Sequence, residues 1–466
     1  MQYVHLKNTP VRSGRCSLAI FMMKMKTGLP NKLLSTLFNI SKSSIKRAIA
    51  TVRKTLSASF VPYYIGFQHI SRQDVITKHT RPLAEQIFGE NGLQVVLVLD
   101  GTYIYIQKSL NFQFQRRSYS VHKGRPLVKP MVIVSTTGYF VSVIGPYLAD
   151  GKNNDARILE HIMRSNIEDV RDWIDENDVF IVDRGFRDAV PFLSSLGINA
   201  EMPAFMKRGE KQMSTEDSNS SRMVTKVRWV VESANARSKR WRFLDHVLPT
   251  NQVPYIGDYV RIVCAIANKF YPPLSHGNLE EDQVLAAKMH HLSLQVNGLK
   301  DYVEEKELHK RTADWESSDV DDFPRLGEEQ IRPITCGSYQ LKLCASYTKE
   351  HLEGNCEIQL HKEEPNLLRV RLRSRHCSSR SYLLWVKYDS ASVVAWYCRC
   401  RSGSRVVGVC AHIAAVIWYL GFYRHTEDME IGVNDWGQHC DDAAQMPTEV
   451  LDGSDSEGSQ TSDIEE

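Results

Sequence analysis

Three acidic residues stand where metal-dependent chemistry could be done. Asp100 closes the apolar run Val95-Val96-Leu97-Val98-Leu99. Asp183 closes a second run, Val179-Phe180-Ile181-Val182, and leads into Arg184-Gly185-Phe186. Glu232 lies in a basic stretch of helical character from Arg228 to Arg240. Hard divalent cations take carboxylate oxygens and keep waters for a substrate. Two such ions can hold both the attacking and the leaving oxygen of a phosphodiester. Singly, each acid has a plainer role. Asp100-Gly101 is a common turn pair, Asp183 could pair with Arg184 or Arg187, and Glu232 with Arg228 one helical turn earlier. The set is the stronger signal. Open sheets present function at the carboxyl ends of their strands. At helical spacing, the face that carries Glu232 also carries Arg228, Asn235, Ala236 and Lys239.

A second group has metal-ligand spacing. Cys398-Arg399-Cys400 is followed, after nine residues, by Cys410-Ala411-His412. Three thiolates and one imidazole satisfy tetrahedral zinc, and a closed Cys3His set is a structural site. The plainer alternative is a cluster of buried thiols with a core histidine. Four ligands of these types within fifteen residues favour zinc. Cys336, Cys344, Cys356, Cys377 and Cys440 have no evident partners and read as structural.

The elements that must position these groups can be traced in order. Residues 1–60 read as a DNA-binding region with three helices, Ser17–Lys26, Asn31–Phe38 and Lys42–Leu56. Pro30 opens the second and Ser41 caps the third. A short helix, a tight turn and a basic third helix make a helix-turn-helix pattern. That places Lys42, Ser43, Ser44, Lys46 and Arg47 near a major groove, unless they form a solvated face. Strands are expected at Val95–Asp100, Thr102–Gln107, Phe112–Ser120, Val132–Thr136, Phe140–Gly145 and Val179–Asp183. Helices are expected over Asp155–Asn166 (capped by Asp155), Arg187–Leu196, Val224–Arg242 and Ile256–Phe270. Residues 207–222 read as an exposed polar loop. Residues 275–330 read as a partly helical linker, 331–423 as a cysteine-bearing α+β unit, and 441–466 as a disordered acidic tail.

Composition sets the outer bounds. The chain has 466 residues, 42% hydrophobic and 24% charged, which is ordinary for a globular protein of about two to four domains. The net charge of +3 hides a sharp asymmetry. Residues 1–60 hold eleven Lys or Arg and no Asp or Glu, whereas His425 to Glu466 holds thirteen acids and no Lys or Arg. A basic head is an electrostatic footprint for polyanions. The short apolar run Ala19–Met23, followed by lysines, does not read as a signal peptide, and no apolar stretch reaches membrane-spanning length. Ten cysteines without a secretion signal point to reduced thiols or metal ligands, hence to a cytosolic or nuclear setting; the basic head favours the nucleus.

Asp100-Gly101-Thr102, the stretch Phe112–Ser120, Asp183-Arg184-Gly185-Phe186 and Arg228-Trp229-Val230-Val231-Glu232 resemble the DDE transposases of the Harbinger type. The resemblance spans about residues 90–272. It implies an α/β, RNase H-like catalytic domain with Asp100, Asp183 and Glu232 as catalytic residues and ligands of two Mg2+ or Mn2+ ions. Asp100 would bridge the pair, and Asp183 and Glu232 would each complete one. Related bacterial insertion-sequence transposases carry Tyr-x2-Arg-x3-Glu-x6-Lys. Arg228, Glu232 and Lys239 match it, while Thr225 stands at the tyrosine position. Arg116, Arg117, His122, Lys123, Arg125, Arg228, Arg237, Lys239 and Arg240 are candidates for phosphate contacts, or for a solvated basic face. The Cys3His set resembles the SWIM-type zinc finger, which implies DNA or protein binding.

The reading is therefore a transposase-like, metal-dependent DNA endonuclease that cleaves and joins phosphodiesters at transposon ends. Its expected partners are double-stranded DNA, an accessory DNA-binding protein and a second copy of the chain, with no membrane. Two alternatives stay open: a domesticated DNA-binding regulator that no longer cleaves, and a protein-interaction adaptor built on the zinc unit.

Overall fold

The computed structural model describes residues 6–90, 92–275, 277–310, 314–352, 357–375, 377–426, 429, 432–434 and 436–441. Cys356 and residues 442–466 of the acidic tail lie outside the described residues.

Three helices open the chain: α1 (Gly14–Thr27), α2 (Asn31–Leu37) and α3 (Lys42–Ser59). Ser13 accepts from the Cys16 amide at the start of α1, and Ser41 accepts from the Ser44 amide at the start of α3. Each hydroxyl satisfies an amide that lacks an intrahelical acceptor. Ile45, Ala48, Ile49, Val52 and Leu56 recur at helical spacing on α3 and bury against Ile20, Phe21, Met25 and Leu34. This core continues into the helix Ile256–Phe270, where Arg53 pairs with Asp258.

A seven-stranded mixed sheet follows. Its strands are β1 (Val96–Gly101), β2 (Ile104–Tyr105), β3 (Tyr119–Ser120), β4 (Arg125–Ser135), β5 (Phe140–Tyr147), β6 (Val179–Ile181) and β7 (Asn199–Glu201). The order is β2-β4-β1-β6-β7, with β3 and β5 also paired to β4. β1 runs antiparallel to β4 and parallel to β6. Side chains alternate between the faces of a sheet. Val96, Val98, Val179 and Ile181 accordingly pack under the long helix Thr215–Lys239 and the helix Ile256–Phe270. Leu97, Leu99, Phe180 and Val182 pack on the opposite face with the helix Asp155–Arg164. The result is three layers, with helices on both faces of the sheet.

Several local expectations are corrected. Phe112–Ser118 is a helix, and only Tyr119–Ser120 is strand. Asn111 caps that helix on the Phe114 amide, and Phe112 is 74% exposed, so its apolar-polar alternation covers no second face. The cap of the helix Asp155–Arg164 is Asn154, which leaves the Asp155 carboxylate free for another role. The long helix begins at Thr215, capped by Ser214, so residues 215–222 are helical rather than loop. Their polar side chains are satisfied by the C-terminal unit. Asn219 accepts from the Val406 and Val407 amides, and the buried Arg222 donates to the Thr335 and Cys336 carbonyls.

Residues 275–330, expected as a linker, carry the helices Leu279–Ser293 and Gly298–Glu305 and β8 (Trp315–Ser317). β8 edges a second, antiparallel sheet with β9 (Ile358–His361), β10 (Leu367–Ser374), β11 (Cys377–Tyr388) and β12 (Val393–Cys398), in the order β12-β11-β10-β9-β8. One face of that sheet packs on the helix Ala411–Gly421 and the other on the helix Gly298–Glu305. Among the described residues no helix is long and apolar enough to cross a membrane.

Candidate active site and metal centre

The acidic site follows from strand register. Val98 of β1 lies opposite Ile181 of the parallel β6. Two residues further along each chain stand Asp100 and Asp183. By the period of two, both take the face that carries Val98 and Ile181, the face under the long helix. On that helix Val227, Val230, Val231 and Ala234 bury into the sheet, and Glu232 and Asn235 border that apolar stripe. Asn235 Nδ2 donates to Asp100 Oδ2 at 2.8 Å. Asp183 Oδ1 accepts from the Gly185 amide at 2.8 Å. Glu232, whose side chain is 57% exposed, is held by Arg228 one turn earlier.

A fourth carboxylate joins them. A Cβ at Gly101 would stand 2.8 Å from Asp155 Oδ1, and one at Gly185 only 3.2 Å from Asp155 Oδ2 and 2.9 Å from Asp183 Oδ1. Both glycines let backbone approach the acids closely. Asp155 Oδ1 accepts from Lys129 Nζ at 2.9 Å. Asp155, expected only as a cap, is thus part of the site. The signal for it was Lys129, a charge inside the otherwise apolar run of β4, which requires a buried partner.

Electrostatics tie the group together. Burial first, then Asp183 and Asp155, push the Asp100 carboxyl up to about 7; Glu232 adds to the rise and Arg228 opposes it. Asp183 is also raised, by burial first, against the stabilising Gly185 amide. The Tyr103 hydroxyl is pushed up to about 12 by burial and then by Asp155, Asp100 and Asp183. Concentrated negative charge in a partly dry site is what a divalent cation relieves. The buried Asn235 Oδ1 has no hydrogen-bond partner, so one further oxygen acceptor lies beside Asp100. The chemistry of this donor set fits hard cations such as Mg2+ or Mn2+. The acids are more widely spaced than the cysteine cluster described below, which alone among the described residues brings its ligand atoms within 4.8 Å of one another.

The predicted cations divide. Lys239, half-buried, has its pKa lowered by burial while Asp245 and Asp100 oppose the shift. Lys123 stands over the Tyr103 ring at 4.9 Å, and Arg125 over Tyr105 at 4.7 Å. With Arg228, Lys239 and Lys123 border the acids. Arg237 instead donates to the Pro272 carbonyl at 2.8 Å, and Arg117 pairs with Asp150. Arg116, His122 and Arg240 are exposed, as are Lys42, Lys46 and Arg47 on α3. Thr225 donates to the Arg222 carbonyl of its own helix.

The second centre is compact. Cys398, Cys400, Cys410 and His412 are buried with their ligand atoms within 4.8 Å of one another. His412 Nδ1 lies 3.8 Å from both Cys398 Sγ and Cys410 Sγ, and Nε2 meets the Tyr347 hydroxyl at 3.4 Å. A metal-ligating histidine commonly has its second nitrogen fixed in this way. Burial raises the Cys398 thiol. Burial acts the same way on Cys410, yet hydrogen bonds from Cys398, Cys400 and His412 hold that thiol well below the usual range. The donor set fits zinc. Cys336 and Cys344 are buried and pack as core, whereas Cys440 is exposed and packs none.

One comparison with known proteins bears on the segment that holds the first centre. Residues 99–268 match the model of the DDE superfamily endonuclease family, a segment that contains Asp100, Asp183 and Glu232. No curated protein matches the chain. Among solved structures, the Mos1 transposase paired-end complex with left transposon end is 16% identical, covering 57% of this chain and 82% of that one. Its TM-score of 0.16 is far below that of a shared fold.

Proposed function

We propose that this chain is a Harbinger-type DDE transposase that cuts and rejoins DNA at transposon ends in the nucleus. The single observation that carries the reading is the parallel register that sets Asp100 and Asp183 side by side beneath the helix bearing Glu232. The match of that segment to the DDE superfamily endonuclease model supports the same chemistry.

In this reading Asp100, Asp183 and Glu232 would hold two Mg2+ or Mn2+ ions, which when bound would supply charge stabilisation to the oxygens of a phosphodiester. The chain's own residues do the positioning. Asn235 fixes one oxygen of Asp100, Arg228 fixes Glu232, and Lys129 balances Asp155. Lys123 and Lys239 border the acids and would neutralise phosphate oxygens. The three N-terminal helices act as a helix-turn-helix reader of duplex DNA through Lys42, Lys46 and Arg47. The Cys3His centre is a SWIM-type zinc site that folds the C-terminal unit.

The test is a nicking assay on candidate element ends with Mg2+ or Mn2+, comparing the native chain with Asp183→Asn. Cleavage by the native chain alone supports the proposal. Equal cleavage by both removes the acidic site, and DNA binding without cleavage by either favours a regulator that has lost turnover.

A further inference from the structure

A cleft of about 970 Å3 opens between residues 206–214, the helix Gly298–Glu305 and the outer face of the second sheet. Lys211, Lys300, Arg371, Arg380, Arg399 and Arg401 line it. Only Glu210 and Glu304 offset them, and Glu304 already accepts from the Tyr397 hydroxyl at 2.9 Å. None of the six cations forms an ion pair among the described residues.

Register explains the patch. Arg371 lies opposite Leu383, and Trp385 opposite Tyr397, so these residues share one face of the sheet. The helix Gly298–Glu305 covers the Trp385–Tyr397 end of that face and leaves the Arg371 end open. Arg399 and Arg401 lie on the loop that carries the first two zinc ligands, so a filled Cys3His centre fixes them in place.

Between this cleft and the acids the chain carries further basic residues, of which Arg184 donates to the Ala204 carbonyl and Arg187 pairs with Asp188. Arg184 follows Asp183 directly. Arg184 and Arg187 stand 5.7 and 5.4 Å over the ring of Phe205, which is 42% exposed. Lys207 and Arg208 follow in sequence, and Lys211 lines the cleft. Along the long helix, Thr215 lies about 26 Å from Glu232 at 1.5 Å per residue, the length of about eight base pairs of duplex. Guanidinium forks in series suit phosphate oxygens in series.

We infer that this cleft takes the phosphate backbone of duplex DNA flanking the reacting phosphodiester, which makes the zinc-bearing unit a second DNA clamp. The inference rests on the reading of the acids as a DNA-cutting site. Its test separates the two. Binding of a 40-base-pair duplex to the full zinc-loaded chain is measured by fluorescence anisotropy over a salt series, for the native chain and for Arg371→Glu/Arg380→Glu. Lys288→Glu serves as a remote control, zinc content and circular dichroism report folding, and Arg371→Gln/Arg380→Gln provides a milder pair.

The glutamate pair is expected to bind at least about tenfold more weakly, with the log–log salt slope reduced by about two, and the control unchanged. A plasmid-nicking assay with Mn2+ is run alongside, with Asp183→Asn as its blank. Unchanged binding and slope in both folded pairs, with nicking intact, overturns the clamp and leaves the nuclease standing. DNA binding lost in the pairs without any nicking by the native chain keeps the clamp and removes the nuclease. Retained DNA binding with lost binding of a polyglutamate probe would assign the cleft to an acidic protein segment and overturn the inference.

Discussion

Lys129 Nζ stands 2.9 Å from Asp155 Oδ1, with the two side chains only 9% and 15% exposed. This pair sits where β4 meets the helix Asp155–Arg164, against the ends of β1 and β6 that carry Asp100 and Asp183. A buried cation here offsets an acid that would otherwise repel the other two. Removing one partner of such a pair leaves a charge without compensation, at a cost of about 3–5 kcal/mol. Lys129→Met is therefore expected to lower the unfolding free energy by an amount of that order, measured by urea denaturation. Mn2+ should recover part of the loss, because a bound cation answers the same charge. Lys129→Met/Asp155→Asn should be less destabilised than the single variant.

Asp100 sets a pH dependence. Its carboxyl moves from an ordinary value of 3.8 up to about 7, chiefly through burial. A raised carboxyl means that the folded chain prefers the protonated form. The associated stability is complete below pH 3.8 and is lost as pH climbs through about 7. In the absence of divalent metal, the native chain should lose stability relative to Asp100→Asn across that window and run parallel to it above. Metal binding must displace the same proton. Calorimetry in buffers of different ionisation enthalpy should show proton release on Mn2+ binding at pH 6 that fades by pH 8.5. Identical release by Asp100→Asn would defeat this assignment.

Arg228 acts on the site in two opposing ways. Its charge lowers the Asp100 and Asp183 carboxyls, and it holds Glu232. Arg228→Gln should raise both carboxyls, so protons compete better with metal at low pH. Above the titration range a competing cation is gone, and the electrostatic gain for a divalent ion is about tenfold in affinity. The variant should therefore bind Mn2+ about tenfold more tightly at pH 8.5, with that advantage shrinking at pH 5.5 as protons on the raised carboxyls offset it. Equal affinities of native chain and variant at both pH values would mean that Arg228 acts only as a structural ion pair.

Which of these residues could be read from the chain follows from the range of the interaction that places them. Asp100 and Asp183 end apolar runs whose alternation already assigns a face, and β-pairing does the rest. Glu232 lies one face-width from Val230 and Val231, so helical period locates it. Asp155 is different, because its role depends on Lys129, 26 positions earlier on another element. The helix Phe112–Ser118 was hidden because its aromatics alternate like a strand, while a single cap at Asn111 decides the local structure. Residues 215–222 look like loop because their polar side chains serve backbone groups of the C-terminal unit, which no local pattern announces.

Those same contacts make the zinc centre a lever on the long helix. Gln212 Nε2 donates at 2.7 Å to the carbonyls of both Cys398 and Cys400, and Ser218 Oγ donates to the Ser402 carbonyl. If zinc holds the 398–412 loop, its removal releases the acceptors that anchor residues 212–222. One zinc per chain is expected by metal analysis, and Cys410→Ser should abolish it. Tyr347→Phe removes the hydroxyl beside His412 Nε2 and should weaken zinc by about tenfold in a chelator competition. Chelation should then open residues 206–222 to protease cleavage, while residues 228–239, packed on the first sheet through Val230, Val231 and Ala234, stay protected. Equal protection of both segments after zinc loss would show that the helix is held by the sheet alone.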